Sequence, residues 1–180
     1  MIEVASKRYS QSLFEAALEQ NKLELTFEEL AGLKRVIEDN QEFFKVLEYP
    51  FITLNEKNKI INEVFSMSFD VIICDFLKVL IEKDRFYILN EILKDFEELY
   101  YDHKRLLKVQ VTTAYELEPD YKERLVAKLK EVFSQDIVMD VKVDPSILGG
   151  LFIKAKDKII DATVKGKLEN MKDNLLHDRN

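Results

Sequence analysis

The sequence has no tryptophan, one cysteine, two histidines, three prolines and four glycines in 180 residues. One cysteine, Cys74, excludes an internal disulfide and any multi-cysteine metal site, and it fits a reducing compartment. Few glycines and prolines leave the chain with few breaks and point to long regular elements, mostly helical. No apolar run approaches the roughly 20 residues of a membrane span. The longest cluster, around Val71, Ile72 and Ile73, is interrupted by Asp75, Lys78, Glu82 and Lys83. The opening residues, MIEVASKRYSQSLFEAA, lack the apolar stretch and small-residue cleavage site of a secretory signal. A basic excess is absent too: 34 acidic against 27 basic side chains give a formal charge of -7. The local clusters Lys7-Arg8 and His103-Lys104-Arg105 read as solvated helix faces, so no nucleic-acid partner is expected. The chain reads as soluble, with no direct membrane insertion.

What is present is 47% hydrophobic and 34% charged, enough for a core and a solvated surface in one domain or two small ones. The first hundred residues read as successive amphipathic helices. The first stripe runs Ala5, Tyr9, Leu13, Ala16 and Ala17, with Ser6, Ser10 and Ser12 adding small side chains. The second runs Leu23, Phe27, Leu30, Leu33 and Ile37, and a short patch of Phe43, Phe44 and Leu47 ends at Pro50. Thr53-Leu54-Asn55-Glu56 has capping-box spacing and starts a helix with Ile60, Ile61, Val64 and Phe65 inward. Phe69, Ile72, Ile73, Phe76, Leu77, Leu80 and Ile81 form the broad face of a central helix. Phe86, Leu89, Leu93, Phe96 and Tyr100 form a long seam ending near His103.

Near Leu106 the period changes. Lys108 to Thr113 alternates and reads as a strand. Pro119 opens a helix with Tyr121, Leu125, Leu129 and Val132 inward. Ile137 to Val143 alternates again, Asp144-Pro145 and Gly149-Gly150 bracket a turn, and Leu151 to Ala155 is a further strand. A tight turn over Lys156-Asp157-Lys158 leads into Ile159-Ile160, and a last helix carries Val164, Leu168, Met171 and Leu175 inward. The expected fold class is α+β: a bundle of about six helices over residues 1–105, then a small mixed α/β domain over 106–180.

Candidate chemistry is thin. A nucleophile would need a histidine beside it, but Cys74 sits on a bundle-facing stripe, where a buried thiol acts as a small hydrophobe. His103 lies at the domain junction and His177 in a polar tail. Glu97-Glu98 and Asp136/Asp140 are acidic pairs on solvated positions, without metal-ligand spacing. Gly149-Gly150 lacks the Lys-Ser/Thr of a phosphate loop, and its plainer role is backbone geometry. No catalytic residue, cofactor or metal is expected. Surfaces remain, and periodicity leaves open whether the small face of the first helix receives a partner helix or packs inside its own bundle.

The C-terminal motif Asp144-Pro145-Ser146-Ile147-Leu148-Gly149-Gly150, then Ile153, then Lys158-Ile159-Ile160-Asp161-Ala162-Thr163-Val164-Lys165-Gly166-Lys167-Leu168, carries a family resemblance. Looser motifs are Arg8-Tyr9 with Leu13-Phe14-Glu15-Ala16-Ala17, Pro50 with Lys57, Phe76-Leu77 with Arg85, and Val111 to Leu117. In this order they resemble the delta subunit of bacterial and chloroplast F-type ATP synthases, whose mitochondrial equivalent is the oligomycin sensitivity conferral protein. The chain departs from the family pattern at Lys156-Asp157, Ala162-Thr163, Lys165 and Ser10, where Gly-Asp, Gly-Ser, Arg and Ala are usual.

The resemblance implies a non-catalytic clamp of the peripheral stalk that resists rotor torque during proton-driven ATP synthesis. The helical domain would bind the N-terminal segment of an alpha subunit, which lies as a helix against the first and fifth helices. Carried over, that surface is Tyr9, Leu13, Ala17, Ile73, Phe76 and Leu80. The second domain would bind the C-terminal ends of the b subunits, with Asp144, Pro145, Gly149, Gly150, Asp161, Lys165 and Leu168 marking the stalk region. The implied location is the cytoplasmic face of a bacterial inner membrane, peripheral and through the complex. The alternative is an unrelated cytosolic helical adaptor, which has no reason to carry the Asp-Pro-Ser turn and the Asp161 helix start together.

Overall fold

The computed structural model describes residues 2–49, 51–156 and 158–177, without the side chains of residues 170 and 172–177. Pro50, Asp157 and the side chain of Leu175, all used in the reading above, lie outside the described residues. The chain forms two compact units that divide between Tyr100 and Tyr101.

The first unit contains α1 (Ile2–Glu19), α2 (Leu23–Asp39), α3 (Gln41–Glu48), α4 (Leu54–Phe65), α5 (Val71–Glu82) and most of α6 (Leu89–His103), with a 3-10 turn over Phe86–Ile88. Local chemistry sets the helix starts. Thr53 and Glu56 form the reciprocal capping box of α4. Asp70 caps α5 by accepting from the Ile72 amide at 3.1 Å, while its carboxylate takes the Lys22 ammonium at 2.8 and 3.0 Å. The Asp70 amide in turn donates to Glu29 at 2.8 Å. One aspartate thereby ties the α1–α2 junction, α2 and α5 together.

α5 is the central helix and packs against α1, α2, α4 and the 3-10 turn. Ile72, Ile73, Cys74, Phe76, Leu77, Leu80 and Ile81 are all buried, and Val71, Asp75 and Val79 form its exposed stripe. The core extends through every other helix of the unit, from Leu13 and Phe14 to Leu93 and Phe96. Aromatic rings hold its corners: Phe14 meets Phe96 edge-on at 5.8 Å, and Phe44 stacks on Phe86 at 6.0 Å. The small face of α1 turns inward, with Ser6, Ser10 and Ala17 buried and both hydroxyls donating to carbonyls one turn back. On α4 the inward row is Lys57, Ile61 and Phe65, every fourth residue. Val64, expected inside, is off that row and 47% exposed.

The second unit is a four-stranded sheet ordered β2-β1-β3-β4, made of β1 (Leu106–Thr113), β2 (Asp136–Val143), β3 (Leu151–Ala155) and β4 (Lys158–Asp161). β1 and β2 run parallel and are joined through α7 (Pro119–Phe133), and the other pairs are antiparallel. Register places Val109, Met139 and Ala155 on one sheet face and Gln110, Asp140 and Lys154 on the other. The first face carries a thin core of Leu107, Val109, Val111, Ile153 and Ala155 against Leu129 of α7, with Leu125 and Phe133 alongside. These three α7 residues are spaced by four, so Val132 points away and is 63% exposed, contrary to the sequence reading. Tyr121, on the same row but at the open start of α7, is 43% exposed rather than inside.

The larger correction concerns α8 (Val164–His177). Val164, Leu168 and Met171, expected to face inward, are 44%, 56% and 62% exposed. α8 packs against the 3-10 turn Pro145–Ile147. Periodicity identifies an apolar helix face correctly here, but it carries no information on what covers that face. Among the described residues no helix is long and apolar enough to cross a membrane.

Candidate functional site

The residues of the C-terminal motif converge. Asp144 accepts the Ser146 amide at 2.9 Å and starts the 3-10 turn. Leu148 follows in the left-handed region at φ +65°, with its side chain 60% exposed. Gly149 and Gly150 then lie against the start of α8. The Val164 amide donates to the Gly149 carbonyl at 3.0 Å, and the Ala162 amide to the Leu151 carbonyl at 2.9 Å. Gly150 has φ +81°, and a Cβ there would stand 2.3 Å from the Ala162 carbonyl oxygen. Only glycine satisfies both conditions.

Asp161 caps indirectly. Its carboxylate accepts the Thr163 amide at 2.9 Å and the Thr163 hydroxyl at 2.7 Å, and that hydroxyl oxygen accepts the Gly166 amide at 2.9 Å. Thr163 is therefore the helix cap and Asp161 fixes its rotamer. A Cβ at Gly166 would meet the Asp161 carboxylate at 2.5 Å, so the small residue in the first turn leaves room for that acid. Hydrogen bonds from Thr163 hold the Asp161 carboxyl below its usual value, and bonds from Ser146 do the same for Asp144. Lys165 lies near enough to Asp144 to lower it further. The motif thus closes into one knot, from which Leu148, Val164 and Leu168 project as exposed apolar side chains.

In the first unit α1 and α5 are neighbours, so the fold brings together the two helices named for the alpha-subunit surface. Of the six residues, Leu13, Ala17, Ile73, Phe76 and Leu80 are 0–9% exposed and belong to the core, and Tyr9 is half-buried. Cys74 is buried and its Sγ lies 3.9 Å from the Phe69 carbonyl oxygen, with burial pushing the thiol up from its ordinary value. An open hollow bordered by α2, α3 and α6 has a floor of Phe44 and Phe86 and a rim where Lys34, Lys45 and Lys94 alternate with glutamates. Among the described residues no cluster of three or more His, Cys, Asp or Glu side chains could hold a metal. A residue missed by periodicity is Lys57, which is 7% exposed on the inward row of α4.

Two compact units whose distinctive features are closed turns and uncovered apolar side chains define an interaction protein. Comparison makes this specific. The family model for the ATP synthase delta (OSCP) subunit matches residues 5–175. The chain is 36% identical to the ATP synthase subunit delta of Clostridium perfringens and 32% identical to that of Clostridium botulinum strain Langeland, over 98% of each chain. It shares its fold with a chain of the Toxoplasma gondii mitochondrial ATP synthase hexamer, with a TM-score of 0.77 at 17% identity, covering 95% of this chain and 97% of that one. The chain belongs to the ATP synthase delta (OSCP) subunit family. It is a subunit of an enzyme complex, and its partners are other subunits of that complex.

Proposed function

We propose that each unit holds a different part of the synthase, so that one chain joins the catalytic head to the peripheral stalk without doing chemistry. The first unit receives the N-terminal segment of an alpha subunit along the seam of α1 and α5. There Tyr9 is the accessible contact, with Phe76 at the edge of the core and Leu13, Ala17, Ile73 and Leu80 supporting from beneath. The second unit receives the C-terminal ends of the b subunits on α8 and the Leu148 turn. The observation that carries this assignment is the exposed row Val164, Leu168 and Met171 at helical spacing, the pattern by which a helix accepts another helix. Two attachments on one chain raise the effective concentration of each partner for the other, which suits a joint under torque. The complex would hold the chain peripherally at the cytoplasmic face of the membrane.

The test is bridging. Sedimentation of the full chain with a cognate alpha N-terminal peptide and a soluble C-terminal b fragment is expected to show a ternary complex. Replacing Leu168 and Met171 by Asp should release the b fragment alone and change stability by no more than about 0.5 kcal/mol, since both positions are exposed. Tyr9→Asp should release the alpha peptide alone. Wild-type protein that binds neither partner overturns the reading.

A further inference from the structure

Among the described residues, the non-glycine positions with positive φ are Asn21, Asp84, Arg105, Ser134, Leu148 and Lys156. Five of them carry polar side chains and stand just beyond α1, α5, α6 and α7 or in the turn between β3 and β4. There the left-handed region closes a helix or a hairpin. Leu148 is the one apolar side chain in the set. A leucine gains nothing from this conformation, because its Cβ crowds the following carbonyl oxygen, whereas glycine adopts it freely.

Burial does not offset that cost, since Leu148 is 60% exposed at φ +65°. The backbone around it is fixed on both sides. Its amide donates to the Pro145 carbonyl at 3.1 Å, Asp144 holds the Ser146 amide at 2.9 Å, and the Val164 amide holds the Gly149 carbonyl at 3.0 Å. A glycine at position 148 would satisfy each of these bonds equally well, so the fold by itself does not account for the leucine side chain. Its place is informative. A Cβ on Gly149 would lie 3.3 Å from Cγ2 of Val164, which puts Leu148 one residue from the first member of the exposed row Val164, Leu168 and Met171.

We propose that Leu148 is the anchor residue of the b-subunit site, a knob that the knot holds out at the head of the α8 row for a hole on the arriving b helix. The inference rests on the stalk reading and deepens it by naming the residue on which binding depends most. The left-handed leucine is kept at a cost to the fold because its side chain is used in binding. Its fixed mount lowers the entropy that a mobile leucine would lose on docking. Continuity with the α8 row selects the occupant, because an apolar edge at helical spacing matches an apolar helix face.

The experiment compares full-length wild type, Leu148→Gly and Leu148→Ala in urea denaturation and in titration with a soluble C-terminal b fragment. The two readouts should move in opposite directions. Leu148→Gly should raise the urea midpoint, with a folding constant about two- to fivefold larger, and should weaken fragment binding about tenfold or more. Leu148→Ala keeps the Cβ and its left-handed cost, so it should lose binding to a similar degree without the gain in stability. That variant separates a missing side chain from a loosened turn. A Leu148→Gly midpoint at or below wild type would show that the leucine serves the fold, and wild-type affinity in Leu148→Ala would show that its side chain is idle. Either result overturns the anchor and leaves the stalk reading intact. Wild-type protein that does not bind the b fragment overturns the stalk reading for this unit, and this inference with it.

Discussion

The two units both expose apolar side chains but build cores of very different extent. In the first, a central helix is wrapped on nearly all sides and the core reaches every helix of the unit. In the second, a thin core under one sheet face involves Leu107, Val109, Val111, Leu129, Ile153 and Ala155. Meanwhile Leu148, Ile159, Ile160, Val164, Leu168 and Met171 remain exposed by 40–62%. A domain this small can bury only a limited share of its unfolded surface. The difference teaches that the first unit has a core deep enough to hold its fold from within, whereas the second has a thin one.

The contrast can be broken most forcefully from the first unit. Phe96→Ala removes a 1% exposed ring that meets Phe14, and should cost about 3–5 kcal/mol in urea denaturation. Hydrogen exchange should then quicken in α5 and not in β1. Equal loss of protection in β1 would show one cooperative body and erase the distinction. A smaller effect should come from the second unit. Gly150→Ala forces a Cβ into the Ala162 carbonyl at positive φ, and should cost about 2–3 kcal/mol. Exchange would rise in β3 and α8 while α5 stayed protected, and an unperturbed melting curve would show that the knot is not needed for the fold.

The smallest effect is electrostatic. The Lys22 ammonium and the Ile72 amide hold Asp70 below its usual value. Its contribution is therefore complete above the unfolded aspartate value of about 3.9 and is lost as pH falls through the lower folded value. Asp70→Asn keeps a capping oxygen and removes the charge, and Lys22 is partly solvated, so the loss near neutrality should be about 1 kcal/mol or less. Wild type and variant should converge in stability as acid protonates Asp70. A gap that persists at low pH would assign the effect to the cap rather than to the ion pair.

Much of the fold is legible in the residues. The capping box at Thr53 and Glu56, Pro119 at the opening of α7, and the change of period before β1 all appear where the pattern places them. The C-terminal motif identifies the family without a structure. The candidate surfaces were less legible. Five of the six residues assigned to the alpha-subunit seam are core, because a residue facing a neighbouring helix and one facing a visiting helix have the same spacing. Val164, Leu168 and Met171 show the converse, with core-like spacing and no core over them.

By itself the sequence determined where elements begin and which side of each is apolar, because caps, turns and periodicity are set by residues a few positions apart. Tertiary structure alone decided which apolar sides are covered, since burial depends on elements distant in the chain. It decided that Ser6 and Ser10 of α1 face inward and that the row Val164, Leu168 and Met171 of α8 lies open. It also revealed that Asp161 acts through Thr163, and that Lys57 lies on the inward row of α4.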